Sequence, residues 1–396
     1  MKRLLILAVA CLCFLSACKR VDGAKQDVIK DEPPAQTEMV GVWITYSEME
    51  TLFNGDFEKN FEEVTKKCYE FGINNLFVHI RPFCDSVYKS KYFPQSSFAI
   101  NYESDALEYM VTTAHKYSLK LHAWINPYRV STASNDINTL PEESPAKVWL
   151  SDDAEENDKN VLFTDDGIYL NPAENDVRKL ILLGIREIIE NYKVDGIHLD
   201  DYFYPTDDEN LDKLSYDTYL QITKKPLELA DWRRQNVSSL IHTLYCAVKA
   251  HNKNILFGVS PAADIDRCYN KLFADVEAWA HGGYVDYIMP QLYFGFEYPI
   301  DKFKFNNLLL YWSAILEDTN AKYYIGLANY KIGTENEPDK AEWNEKDDII
   351  ARQIKLLRQE TADGFVFFSY SSLFGGNELN IKQTENIKEL INKEQK

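Results

Sequence analysis

Cations are scarce in this sequence. Lys and Arg total 43 against 62 Asp and Glu, so the formal net charge over 396 residues is -19. Sequence-independent nucleic-acid affinity needs clustered cations, so this balance excludes nucleic acid as a partner. It leaves neutral substrates such as sugars open. None of the 7 cysteines sits in a CxxC pair or in a Cys/His cluster of metal-site spacing, and zinc-hydrolase motifs are missing. His198 near Asp200 is a thin basis for a metal site, so neither metal nor cofactor is expected. No GxSxG elbow supports a Ser/His/Asp triad, because Ser260-Pro261 lacks that context. There is no Gly-rich dinucleotide fingerprint, internal repeat or low-complexity stretch. A hydrophobic content of 45% excludes a mainly disordered chain.

What is present begins with a targeting segment. Lys2 and Arg3 precede an apolar run over residues 4–15, well short of the ~20 residues needed to span a bilayer. Leu15-Ser16-Ala17-Cys18 follows and resembles a bacterial lipoprotein signal, in which the cysteine is acylated and becomes the new N-terminus. The alternative is an ordinary secretory signal with a chance cysteine. The expectation is a signal peptide over 1–17, a lipidated Cys18 with a flexible tether over 18–38, and a globular body over 39–396. That body would be extracytoplasmic, anchored through lipid to the cell membrane or outer membrane, in the periplasm or on the cell surface. A monomer is expected.

From residue 40 short apolar runs alternate with amphipathic helical stretches. The runs are GVWITY (41–46), NNLFVHI (74–80), LKLHAWI (119–125), GIHLDDY (196–202), LFGVSPA (256–262), YVDYIMPQLY (284–293), YYIGLANY (323–330) and GFVFFSY (364–370). They are rich in Val, Ile, Phe and Tyr, as buried parallel strands are. Helical stripes lie between them, such as Phe57, Phe61, Val64, Cys68 and Phe71 with Gly72 placed as a cap. Eight β-then-α units predict an α/β fold, a (β/α)8 TIM barrel, over an open sheet with a small domain. Long connections over 126–173 and 203–225 make insertions at the C-terminal face of that barrel. The acidic run Asp152, Asp153, Glu155, Glu156 and Asp158 in the first reads as a solvated face, with a calcium site as the alternative. Cys68, Cys84, Cys246 and Cys268 fall too far apart around such a barrel to pair, so four free thiols are expected.

Chemistry concentrates in the fourth run. Strand alternation turns Ile197 and Leu199 toward the helices and His198, Asp200 and Tyr202 toward the barrel axis, with Asp201 where the strand ends. Adjacent carboxylates repel, which raises at least one pKa and suits a general acid. Glycoside hydrolysis needs such an acid and a second carboxylate. An ion pair or a metal-binding Asp pair is the competing reading. The other runs bring Trp43 and Thr45, then Glu48; His79, Arg81, Asp85 and Tyr88; His122, Trp124, Asn126, Tyr128 and Arg129; Gln291 and Tyr293. Rings to stack on and groups to bond hydroxyls are what a saccharide site needs. An inward histidine such as His79 also serves as a satisfied core group. Asp200 and Asp201 are the expected catalytic pair. The expected substrate contacts are Trp43, His79, Arg81, Trp124, Asn126, Tyr128, His198, Tyr202, Gln291 and Tyr293, with Glu48 and Asp264 as reserve carboxylates.

These stretches resemble a known family. GVWITY (41–46), VHIRPFCDSVY (78–88), LHAWINPYR (121–129), VDGIHLDDYFYP (194–205), DWRRQNV (231–237), FGVSP (257–261) and GYVDYIMPQLYF (283–294) are similar, in order, to glycosyl-hydrolase-like family ten. That family of bacterial barrel proteins includes lipoproteins that cleave peptidoglycan glycan strands. Pro172-Ala173 stands where the family usually reads Pro-Gly, and the Ala262-Ala263-Asp264 segment departs from its commonest pattern. The resemblance implies an exported glycosidase acting on cell-wall glycan, on strands lacking stem peptides. It implies Asp200 and Asp201 as the acidic motif, with Arg81, Asn126 and Tyr202 around it. Adjacent carboxylates also look like those of barrel N-acetylhexosaminidases, which use the substrate's acetamido group as nucleophile. A non-catalytic surface glycan-binding lipoprotein and an exported glycosidase on other polysaccharides are the alternatives.

Overall fold

All eight apolar runs become strands of one closed parallel barrel in the computed structural model, which describes residues 38–393 apart from Asp166, Asn336 and Thr361. The expected signal segment, Cys18 and the tether up to residue 37 lie outside the described residues. The strands are β1 (Met39–Ile44), β2 (Asn75–Arg81), β3 (Lys120–Ile125), β4 (Gly196–Leu199), β5 (Leu256–Val259), β6 (Tyr287–Ile288), β7 (Lys322–Leu327) and β8 (Gly364–Phe367). Each pairs with the next, and β8 closes on β1 with Met39 opposite Gly364 and Val42 opposite Phe367. Closure excludes the open-sheet alternative. The fold is a (β/α)8 barrel.

Alternation sorts the side chains into two cores. Val40, Val42, Ile44, Leu76, Val78, Ile80, Ile197 and Leu199 face outward into the layer between sheet and helices. Met39, Trp43, Phe77, Trp124, Tyr287, Met289, Tyr324 and Val366 fill the barrel interior. Large inward rings need empty positions opposite them. A Cβ on Gly196 would collide with the His122 ring, and one on Gly258 with the Tyr287 ring. Those glycines therefore let the interior close-pack. The outer helices seat by their apolar stripes. Phe57–Phe71 buries Phe57, Phe61, Val64, Cys68 and Phe71, the Phe and Val side chains each contributing ~1.5–3 kcal/mol. It ends on Gly72 in the left-handed region at φ 102°, where a Cβ would be strained.

The two long connections fold as well. Residues 126–173 contain a three-stranded antiparallel sheet of Arg129–Ser131, Val161–Phe163 and Ile168–Leu170, with the last strand in the middle. The acidic run within this insertion is exposed to solvent. The second insertion is clamped by a buried ion pair, Asp212 with Arg233 of the helix Leu229–His251, at 2.5 Å. Cys68, Cys84, Cys246 and Cys268 are free thiols.

Candidate active site

The floor is laid by the inward side chains of β1, β2, β3 and β4. Trp43 Nε1 donates to His198 Nε2 at 3.1 Å, which leaves the imidazole proton on Nδ1, 2.9 Å from the Tyr287 hydroxyl. Burial holds the His198 pKa well below its ordinary value, so the ring is neutral. One layer higher, His79 stacks on Trp124 with ring centroids 3.8 Å apart and planes 9° apart. Asn126 Nδ2 donates both to His79 Nε2 at 3.3 Å and to Asp200 Oδ2 at 2.9 Å. Burial, then the Arg129 charge, also keep His79 neutral.

Asp200 stands on this floor just beyond β4. It is 3% exposed. Its Oδ2 accepts from Trp124 Nε1 at 3.0 Å as well as from Asn126, and its Oδ1 faces the Tyr202 N–H at 3.4 Å. Burial pushes its pKa up to about 7, helped by the neighbouring Asp201 charge and opposed by Arg129, Trp124 and the Tyr202 N–H. Asp201 is half-buried, and burial raises its pKa too. Its Oδ1 accepts from Gln291 Nε2 at 3.2 Å, which also donates to the Ser260 carbonyl at 3.2 Å. The carboxyls thus differ in kind: Asp200 is clamped on one oxygen by two N–H groups, whereas a single amide holds Asp201.

Above the pair opens a cavity of about 310 Å³. It is lined by Trp43, Thr45, Tyr46, His79, Trp124, Arg129, Asp200, Asp201, Tyr202, Ser260, Gln291, Tyr293, Tyr330 and Phe368. Tyr293 packs against Tyr330 and Phe368, with centroids 5.7 and 5.6 Å away. Tyr202, 51% exposed, forms the rim with the Arg129 guanidinium 3.8 Å from its ring centroid. A carboxyl pair that retains a proton near neutrality, under aromatic walls, is equipped for general acid catalysis on a ring-shaped polar substrate.

Of the expected catalytic and substrate-contact residues, Trp43, His79, Trp124, Asp200, Asp201, Tyr202, Gln291 and Tyr293 meet at this cavity, joined by Thr45 and Arg129 from the same strand ends. The remaining expected contacts, His198, Asn126, Tyr128 and Arg81, do not line it, each for a physical reason. His198 is 0% exposed and works below Trp43 as a hydrogen-bonded support. Asn126 is buried behind Asp200, where it positions that carboxyl and His79. Tyr128 follows the end of β3, where the small antiparallel sheet takes over the chain direction, and its ring enters the outer core. Arg81 is displaced by a register shift in β2 between His79 and Arg81, which reverses the alternation. Its guanidinium lies 4.3 Å from the Phe93 ring and against Gly184 of the helix Asn175–Asn191.

The reserve carboxylates are elsewhere too. Glu48 Oε2 accepts from Thr45 N and Oγ1 at 2.7 and 2.9 Å, and Oε1 from Ser369 Oγ and Ser371 N at 2.7 and 2.6 Å. With both oxygens doubly occupied, Glu48 ties the helix Tyr46–Phe53 to the segment after β8. Asp264 lies 3.7 Å from Lys302 in a separate depression with Phe303 and Tyr311. Tyr46, Tyr330 and Phe368 are wall residues that the sequence reading omits. All three lie in the last residues of an apolar run, just past the strands β1, β7 and β8 that end at Ile44, Leu327 and Phe367, so applying the strand-end rule to those three runs finds them.

Residues 38–345 match the model of the glycosyl hydrolase-like 10 family. Over 356 residues the chain is 31% identical to the glycosyl hydrolase YngK of Bacillus subtilis strain 168, covering 83% of this chain and 65% of that protein. The chain thus spans under two thirds of that relative's length. It is 29% identical over 340 residues to the glycosyl hydrolase DigH of Escherichia coli K12, covering 79% and 74% of the two chains. Among solved structures, the glycoside hydrolase domain of PgaB from Bordetella bronchiseptica superposes with a TM-score of 0.60 at 12% identity, covering 89% of this chain and 98% of that one. The catalytic domain of a β-amylase from Paenibacillus polymyxa gives 0.60 at 10% identity, covering 91% and 99%. At such identities the likeness speaks for the barrel fold alone.

Proposed function

Because the chain belongs to the glycosyl hydrolase-like 10 family, we propose that it is a glycoside hydrolase acting on β-linked amino-sugar strands of bacterial cell wall, free of stem peptides. The observation that carries this reading is the adjacent pair Asp200 and Asp201 at the base of one aromatic-walled cavity. Near neutral pH the pair retains one proton, since burial and mutual repulsion oppose full ionisation. A substrate acetamido N–H that bonds to Asp200 favours its charged form and leaves the proton on Asp201. Asp201, held by a single amide, then protonates the leaving glycosidic oxygen. The acetamido carbonyl oxygen closes on the anomeric carbon as that bond breaks. Water next adds to the anomeric carbon, Asp201 takes a proton from it, and the acetamide re-forms with retained configuration. Trp43, Trp124 and Tyr293 supply the stacking faces.

This assignment separates the two carboxyls experimentally. On peptide-free glycan, Asp200→Asn and Asp201→Asn are each expected to lose about 10²–10⁴-fold in kcat. On an aryl amino-sugar glycoside whose leaving group needs no proton, Asp201→Asn is expected to recover most of kcat/KM, which reports bond cleavage, while kcat stays low for want of the base that takes the proton from water. Asp200→Asn is expected to recover neither. Full activity of either variant on glycan would end the mechanism. Equal losses on both substrates would remove Asp201 from the donor role.

We also propose that the enzyme works outside the cytoplasm, held to a membrane by lipid on Cys18. The support is the charged start, short apolar run and Leu15-Ser16-Ala17-Cys18 sequence. Cys18→Ser is expected to move the protein from the membrane fraction to the soluble one, and unchanged membrane association would contradict the anchor.

A further inference from the structure

Arg129 is the one Lys or Arg among the residues that line the cavity. It is 9% exposed, and its Nε is buried without a hydrogen-bond partner. Elsewhere the arginines Arg233, Arg352 and Arg358 meet Asp212, Glu342 and Glu38. Arg81, likewise buried without a carboxylate partner, stacks on Phe93 away from the cavity, so Arg129 differs from it in facing open space beside the carboxyl pair. Among the described residues Arg129 has no ion-pair partner. A largely buried and unpaired guanidinium is costly in a protein with 62 acidic residues to pair it. The fold nevertheless fixes it in place. Its backbone opens the short strand Arg129–Ser131, paired with Tyr169, and Leu170 N donates to the Tyr128 carbonyl at 2.7 Å. Its guanidinium carbon lies 3.8 Å from the Tyr202 ring centroid and 5.9 Å from that of Phe83. Rings that cover a face of a guanidinium leave its N–H edge to bond an anion, and the fork of that edge matches a carboxylate. The charge sits close enough to be felt by Asp200, Asp201 and His79, so a ligand on it lies beside the reacting bond.

We propose that Arg129 determines specificity by binding the free carboxylate of an acidic amino sugar, a hexosamine bearing a carboxyalkyl ether, in the glycan strand. The proposal rests on the glycosidase reading above and deepens it. A stem peptide turns that carboxylate into an amide, which removes the charge, replaces an acceptor oxygen by a donor and adds bulk. A charge-reading arginine thereby selects strands from which the peptides have been cleaved, so a peptide-removing amidase reaction must precede this enzyme's step.

The test compares kcat/KM of the intact protein on three substrates. These are peptide-free strands, the same strands with carboxylates converted to methylamides, and chitin oligomers of equal length. The wild-type protein is expected to favour the free carboxylate over the methylamide by at least about tenfold, chiefly through KM. Arg129→Gln is expected to bring that ratio close to one, and Arg129→Lys to keep part of it. Equal wild-type rates on carboxylate and amide would overturn the proposal without any variant, as would an unchanged ratio in Arg129→Gln. Cleavage of chitin but neither wall strand would overturn it together with the wall substrate, while sparing glycosidase activity on β-linked amino sugars. No cleavage of any of the three would overturn both.

Discussion

Asp200 shows what a buried carboxyl costs and what it offers. Its folded pKa of about 7 lies above the ordinary 3.8, so the folded protein binds this proton more tightly than the unfolded chain does. The group's stabilising contribution is therefore complete below pH ~4 and is lost as pH rises through about 7. Asp200→Asn removes the titration, while an amide oxygen can still accept from Trp124 and Asn126. The variant is expected to gain stability relative to the wild-type protein between pH 4.5 and pH 8, by an amount on the order of 2–4 kcal/mol in denaturant unfolding. An unchanged difference across that range would mean that Asp200 is not held in its neutral form. The same residues mark the reach of sequence reading. Asp200 was legible because strand alternation fixed its direction. His198 shares that direction, yet its depth in the barrel, below two indole rings, is a property of packing that alternation does not encode.

At the scale of elements, what was legible followed element length. Runs of four or more apolar, β-branched or aromatic residues announce themselves, and each of the eight became a barrel strand. The sixth is the instructive exception, since its run covers ten residues but only Tyr287–Ile288 is laddered. The rest of that run turns into the loop that brings Gln291 to Asp201. Two features stayed hidden. The register shift in β2 between His79 and Arg81 turns Arg81, the last residue of the strand, away from the axis, and no residue type announced it. The three-residue strands of the first insertion are too short for periodicity, yet they turn Tyr128 into the core and Arg129 into the cavity. A resemblance in motif places such residues near a site. It does not say which of two neighbours faces it.

For the molecule as a whole, the scarcity of cations takes on a sharper meaning. A net charge of -19 gives no long-range attraction to the anionic wall polymer proposed as substrate, which on that proposal leaves recognition to shape, stacking and the single arginine of the cavity. One barrel holds the carboxyl pair, its hydrogen-bonded floor and its aromatic walls, with the chemistry at the C-terminal ends of the strands. The most direct measurement is product analysis by mass spectrometry after the purified protein is incubated with peptide-free glycan strands, intact sacculi, chitin oligomers and α-glucans. The account predicts soluble fragments from the peptide-free strands, each carrying the mass of one added water at a new reducing end with β configuration on first release. Strands recovered uncut but bound to the protein, or fragments released from α-glucans alone, would contradict it.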